Sequence, residues 1–127
     1  IKPAIKNKKI ILIDRFIDST IAYQVYGSGE NKLLIDNIHQ HILGSLRPDI
    51  TFVLTVNIDK AFKRIAKRKS KNRYDKFTKN FYLKVQKSFI KIAKKNKSRY
   101  KVLDNSHDTN EVEKIILKEF YKKLNKK

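Results

Sequence analysis

The chain has 127 residues, enough for one hydrophobic core and one domain spanning residues 1–127. It contains no cysteine, which excludes disulfides and thiolate metal sites and fits the cytoplasm, and no run approaches the roughly 18 apolar residues of a membrane span. The formal charge of +19 predicts salt-sensitive attraction to polyanions, yet 25 of the 31 basic residues are lysines spread over every helical stretch, the pattern of a solvated surface and not of a specific nucleic-acid site.

Residues 1–8 read as the end of a helix and a turn, because Pro3 is tolerated only in a first helical turn. Lys9–Ile13 follows, with four successive apolar residues, Ile10 to Ile13, and no polar alternation; this predicts a strand buried on both faces, as in a parallel sheet flanked by helices. Asp14 and Arg15 fall at its C-terminal end, the edge at which open α/β sheets bind ligands. Asp18 or Ser19 is placed to cap a short helix whose N-terminus, with the planar fork of Arg15, suits an anion such as phosphate. At helical spacing Ser19, Tyr23 and Tyr26 share one face, Thr20, Gln24 and Gly27 the next, and Ile21 and Val25 the buried side. On residues alone, an Asp14–Arg15 ion pair that merely caps the sheet edge explains the junction as well as a binding site does.

The order Asp14-Arg15-Phe16, then Asp-Ser-Thr-Ile-Ala-Tyr-Gln up to Gln24, resembles the thymidylate kinase motif of Asp-Arg-aromatic followed by Ser, Ala, Tyr and Gln. The resemblance implies that Arg15 binds the phosphate of thymidine monophosphate, that Asp14 works beside it at the phosphoryl-transfer centre, and that Ser19, Thr20, Tyr23 and Gln24 line the nucleoside pocket. It further implies an α/β three-layer sandwich with a parallel β-sheet, similar to P-loop nucleoside monophosphate kinases, ATP with Mg²⁺ as donor, and a homodimer; another P-loop nucleoside or nucleotide kinase, or a basic nucleic-acid-binding fragment without catalysis, are the alternative readings. No Gly-x-x-x-x-Gly-Lys-Ser/Thr loop occurs in the sequence, which has three glycines in all. Together with an initial Ile1 and no methionine, this reads as the C-terminal portion of such a domain, inactive by itself.

Gly27-Ser28-Gly29 breaks the helix and turns the chain. From Asn31 to Leu46, Leu33, Leu34, Ile38, Ile42 and Leu46 recur at three- and four-residue intervals, predicting an amphipathic helix packed on the sheet; His39 and His41, two apart, diverge on it and do not share a metal. Arg47-Pro48-Asp49 ends this helix and leads into Ile50–Val56, a second apolar strand. The next helix runs through Ala61–Ile65, with Asp59 as its expected cap. Here the chain departs from the family pattern, with Thr55 in place of an acid and Ile58 in place of a proline.

Arg64, Lys67, Arg68, Lys69, Lys71 and Arg73 crowd into ten residues. The stretch 64–76 is similar to the lid of bacterial thymidylate kinases, with Asn72-Arg73-Tyr74-Asp75 in the place of Asp-Arg-x-Glu. That likeness implies Arg64 near the adenine and Arg68 and Arg73 on the donor phosphates, where cations offset charge during transfer. A loop of basic residues with no ligand explains each of them singly.

Residues 77–95 carry Phe77, Phe81, Val85, Phe89 and Ile92 at helical spacing, an aromatic stripe read as packing or a subunit contact. Tyr100–Leu103 is a third strand, and Asp104-Asn105-Ser106 follows at its C-terminal end. By the resemblance Asn105 and Ser106 border the adenine; a strand-to-helix cap explains them equally. Glu111–Leu124, with Val112, Ile115, Ile116, Phe120 and Leu124, makes a closing amphipathic helix.

Overall fold

The computed structural model describes residues 1–67, 77–107 and 109–125. In chain order they form α1 (Lys2–Lys6), α2 (Ile17–Thr20) continued by a π-helical segment (Ile21–Gly27), α3 (Lys32–Leu43), β1 (Thr51–Thr55), α4 (Ile58–Ala66), α5 (Lys79–Lys94), β2 (Tyr100–Asp104) and α6 (Glu111–Leu124). Pro3 sits in the first turn of α1, where its missing N–H costs nothing.

Strands β1 and β2 pair in parallel from Thr51 opposite Tyr100 to Thr55 opposite Asp104. Parallel neighbours need a crossover long enough to return the chain to the same end, and α4 and α5 lie in it. The side chain of Asn57 starts α4 by accepting the amides of Asp59 at 3.0 Å and Lys60 at 3.2 Å. Asp59, the expected cap, lies in the first turn and pairs with Lys79 of α5 instead. Thr78 caps α5 by accepting from Phe81 N at 3.2 Å.

Helix α5 joins the other elements, packing on both strands, on α4 and on the π-helical segment. Val53, Ala93 and Tyr100 are its buried centre, with Phe89 and Ile92 packed against them. Burying a side chain such as Val53 contributes about 1.5–3 kcal/mol. The Gln86 side chain of α5 accepts the amide of Val56 at 2.9 Å, fixing the exit of β1.

Two expectations fail in their surroundings. Ile10–Ile13 is not a strand: it makes no backbone hydrogen bond to any described residue, and Leu12 is 83% exposed. A strand buried on both faces needs neighbours for its N–H and C=O groups and helices over its side chains, and β1 and β2 pair only with each other. The sheet among the described residues is therefore two-stranded, not three-stranded. Likewise α3 forms as an amphipathic helix, with Asn31 capping it through Leu33 N and Leu34 N, but it leans on the π-helical segment and leaves Leu33, Leu34, Ile38 and Ile42 exposed.

Candidate functional site

Arg15 has the backbone conformation that side chains avoid, φ +63°. Its guanidinium donates to the Tyr23 hydroxyl at 3.3 Å and lies 5.0 Å from the centre of the Tyr23 ring. Tyr23 is in turn seated on α5, its ring 6.0 Å from Phe81 and 6.3 Å from Phe89. The aromatic stripe of α5 thus acts as packing that supports Tyr23, and Tyr23 supports Arg15. Asp14 and Arg15 are both exposed, Ser19, Thr20 and Tyr23 half-buried, and Gln24 exposed.

The segment that carries them is wound more widely than expected. After four α-helical residues it continues as a π-helix, closed by the 2.9 Å bond from Ser28 N to Tyr23 O. π-Helical turns are rare and recur at functional sites. The buried line runs through Ile17, Asp18 and Ala22, while Ile21 and Val25, the expected buried pair, are half-buried. Tyr26 also meets α5, under Lys91 at 5.3 Å. Neither Asp18 nor Ser19 caps α2: the cap position is Phe16, and no side chain there accepts a helix amide. The Asp18 carboxylate is engaged elsewhere, by Arg99 at 2.5 Å and the Tyr100 hydroxyl at 2.7 Å. Burial first, then that hydrogen bond and the Asp18 charge, push the Tyr100 hydroxyl well above its usual pKa.

A second group assembles where the strands end. The parallel ladder continues one step past Asp104, with Asn105 N donating to Thr55 O at 2.7 Å. This brings the two strand exits together, and Asn57 N donates to Ser106 Oγ at 2.8 Å. Lys60 of α4 then donates to the Ser106 carbonyl at 3.2 Å and Arg64 to the Asn105 carbonyl at 3.3 Å. Lys60, Lys63, Arg64, Ser106 and His107 line a shallow hollow of about 290 Å³. Hydrogen bonds from the Ser106 side chain and amide hold the Asp104 carboxyl below the usual carboxylate range. Arg64, Asn105 and Ser106, assigned together from the sequence, do come together; Lys60 and Lys63 were missed, and their place on the Arg64 face of α4 was the available signal. Arg68 and Arg73, with most of the expected lid, lie outside the described residues. The Asp18–Arg99–Tyr100 group was also missed, since Asp18 lies more than 80 positions from the other two.

Two cationic groups result: Arg15 on an aromatic ring, and a hollow lined by Lys60, Lys63 and Arg64 beside the C-terminal ends of two parallel strands, where α/β sheets bind ligands. Among the described residues no group of three or more His, Cys, Asp or Glu side chains is arranged to hold a metal, and no helix is long and apolar enough to cross a membrane.

Comparison with known proteins agrees with the motif. The chain is 41% identical over 115 residues to thymidylate kinase of Ehrlichia chaffeensis, covering 91% of this chain and 54% of that protein. It is 41% identical over 111 residues to that of Wolbachia pipientis wMel, covering 87% and 55%, and 30% identical over 118 residues to that of Kosmotoga olearia, covering 93% and 57%. The chain therefore spans about half the length of the curated relatives it matches. Its fold superposes on the crystal structure of the Ehrlichia chaffeensis thymidylate kinase with a TM-score of 0.63 at 34% identity, covering 95% of this chain and 54% of that one. This likeness places the two-stranded parallel sheet and its helices in the α/β architecture expected from the sequence. The family model for thymidylate kinase matches residues 1–116, and the chain belongs to the thymidylate kinase family.

Proposed function

We propose that this chain forms the acceptor side, and part of the donor side, of an enzyme that transfers the γ-phosphoryl group of ATP to thymidine monophosphate, giving thymidine diphosphate and ADP. The observation that carries the reading is Arg15, held at φ +63° beside Asp14, with its guanidinium on the Tyr23 ring at the head of the segment bearing Ser19, Thr20 and Gln24. A strained residue persists where its surroundings over-determine it, and such residues cluster at ligand sites.

In this reading Arg15 holds the acceptor phosphate through charge-assisted hydrogen bonds and Asp14 orients the reacting groups. Ser19, Thr20 and Gln24 face the nucleoside, and Tyr23 presses on the deoxyribose. Arg64, Asn105 and Ser106 border the adenine, with Lys60 and Lys63 adding positive charge. Arg68 and Arg73, from a lid over 64–76, offset charge on the donor phosphates. A Mg²⁺ ion brought in with ATP would screen the phosphate charge there. The chain suits such a nucleotide-borne ion, which asks for one or two carboxylates and not a protein cage: Asp14 offers one exposed carboxylate.

The sequence carries no P-loop, so the chain alone is expected to show no turnover. A cytoplasmic homodimer completes the proposal; the lack of cysteine supports the compartment, and the exposed apolar stripe of α3 supports an apolar contact.

The test is a calorimetric titration with thymidine, cytidine and guanosine monophosphates at two salt concentrations. Thymidine monophosphate is expected to bind selectively, and Arg15→Ala to abolish it. Binding indifferent to the base, falling steeply with salt and insensitive to Arg15→Ala would identify a polyanion-binding surface instead, as the +19 charge alone produces.

A further inference from the structure

Asp18 is a buried charge to which the phosphoryl-transfer reading gives no task. It is 7% exposed, on the short helix that carries Ser19 and Thr20. Its Oδ2 accepts from Arg99 Nη2 at 2.5 Å and its Oδ1 from the Tyr100 hydroxyl at 2.7 Å. Arg99 also donates through Nε to Thr51 Oγ1 at 3.3 Å and lies over the Tyr100 ring at 4.6 Å. One carboxylate is thereby tied to the first residues of both strands, Thr51 of β1 and Tyr100 of β2.

Packing alone holds a helix against a sheet without burying a charge, and an apolar side chain at position 18 would avoid the cost of desolvating a carboxylate. What a carboxylate with two fixed donors adds is direction: both its oxygens are aimed, so the helix cannot rotate or slide without breaking one bond. That constraint matters most for α2. The helix has four residues, lacks a side-chain cap and runs into a π-helical segment, so little intrinsic stability sets its orientation. Strand β2 ends at Asp104, and Asn105 and Ser106 follow it directly, so the same strand serves as reference for the acceptor segment and the cationic hollow.

We propose that Asp18 is a positioning residue: anchored by Arg99 and Tyr100, it sets the rotation of α2 and so the direction in which Ser19, Thr20, Tyr23 and Gln24 meet the acceptor nucleotide. The proposal rests on the acceptor reading given above.

Two variants of the full chain test it. Asp18→Asn keeps the size and an acceptor for Tyr100 but removes the charge facing Arg99; Tyr100→Phe removes only the hydroxyl and guards against a fold lost in the first. Each is titrated with thymidine monophosphate, and amide hydrogen exchange is followed in the same samples. Asp18→Asn is expected to weaken binding by roughly tenfold, the equivalent of one charge-assisted hydrogen bond, and Tyr100→Phe by less. Exchange is expected to accelerate in residues 17–27 while α4 and α6 keep wild-type rates. Affinity within twofold of wild type in both variants, or exchange rising in proportion through every helix, overturns the proposal, since a general loss of stability has no preference for α2. A wild-type chain that fails to bind thymidine monophosphate refutes the acceptor reading, and the exchange pattern still decides on Asp18: acceleration confined to 17–27 upholds its hold on α2, uniform acceleration removes it.

Discussion

Gly27→Ala sets two opposing effects against each other at the seam between the π-helical segment and α5. Gly27 closes the π-helical segment and does not need positive φ, so alanine fits the backbone and lowers the entropy of the unfolded chain, a gain of about 0.4–1 kcal/mol. Against that, a Cβ there would stand 2.9 Å from Cε2 and Cζ of Phe81 and 3.2 Å from Cγ2 of Val85. Carbon atoms attract best at about 3.5–4.0 Å, so the contact is repulsive and something must move. The Phe81 ring is confined: it stacks on Phe77 at 4.2 Å and lies 6.0 Å from Tyr23 and 6.1 Å from Tyr82, while Val85 is 3% exposed. Overpacking such a site costs about 1–3 kcal/mol, which outweighs the entropic gain. The variant is expected to lose about 1 kcal/mol net, read as a lower urea midpoint at unchanged m-value. In a Phe81→Leu background the smaller side chain clears the space, and Gly27→Ala should become neutral or stabilising. A higher midpoint in the wild-type background, or an equal loss in both backgrounds, would refute the reasoning.

Asp104→Asn tests the second group through pH. The Ser106 hydrogen bonds lower the folded pKa of Asp104, so their stabilisation is present above the unfolded value of about 3.9 and disappears as pH falls through the folded one. The stability gap between wild type and Asp104→Asn should be open at neutral pH and close in acid; a gap independent of pH contradicts the assignment. Arg15→Lys keeps the charge but loses the planar fork on Tyr23, and thymidine monophosphate affinity is expected to drop roughly 10- to 100-fold, the worth of a bond to a charged group of about 1.5–3 kcal/mol; calorimetry showing wild-type affinity removes the role given to the planar fork. Tyr23→Phe in a protein carrying this chain and a P-loop should relax the preference for deoxyribonucleotide over ribonucleotide, measured as a ratio of kcat/KM values, and an unchanged ratio removes Tyr23 from sugar selection.

The parts legible in the sequence are those whose signal is local. Helix α6 occupies Glu111–Leu124 as its periodicity predicts, and β1 and β2 fall within a residue of their apolar runs. The motif that marks the family was legible for the same reason, since Asp14, Arg15, Ser19, Thr20, Tyr23 and Gln24 lie within eleven residues. Caps were harder, because neighbouring polar residues compete for the same amides. Asn57 precedes Asp59 by two positions and takes the cap, leaving Asp59 to Lys79.

What was not legible depends on partners remote in sequence. Ile10–Ile13 has the composition of a central strand, but composition states only that a segment is suited to burial; pairing must come from neighbouring strands, and the described residues supply none. The stripe of α3 repeats the lesson, since a hydrophobic period marks a face without saying what covers it. Asp18 shows the converse. In the sequence it is one more acid near a helix start, suited to a cap; in the fold both its oxygens are taken by residues beyond position 98, and the capping role disappears. The group at the strand ends lies between these extremes. Arg64, Asn105 and Ser106 are distant in the chain, yet a parallel register that sets Thr55 against Asp104 must bring the residues after both strands to the same end. Their meeting follows from two strands and the rule that ligands gather where parallel strands end, whereas the tie from Asp18 to Arg99 depends on side-chain geometry that no periodicity encodes.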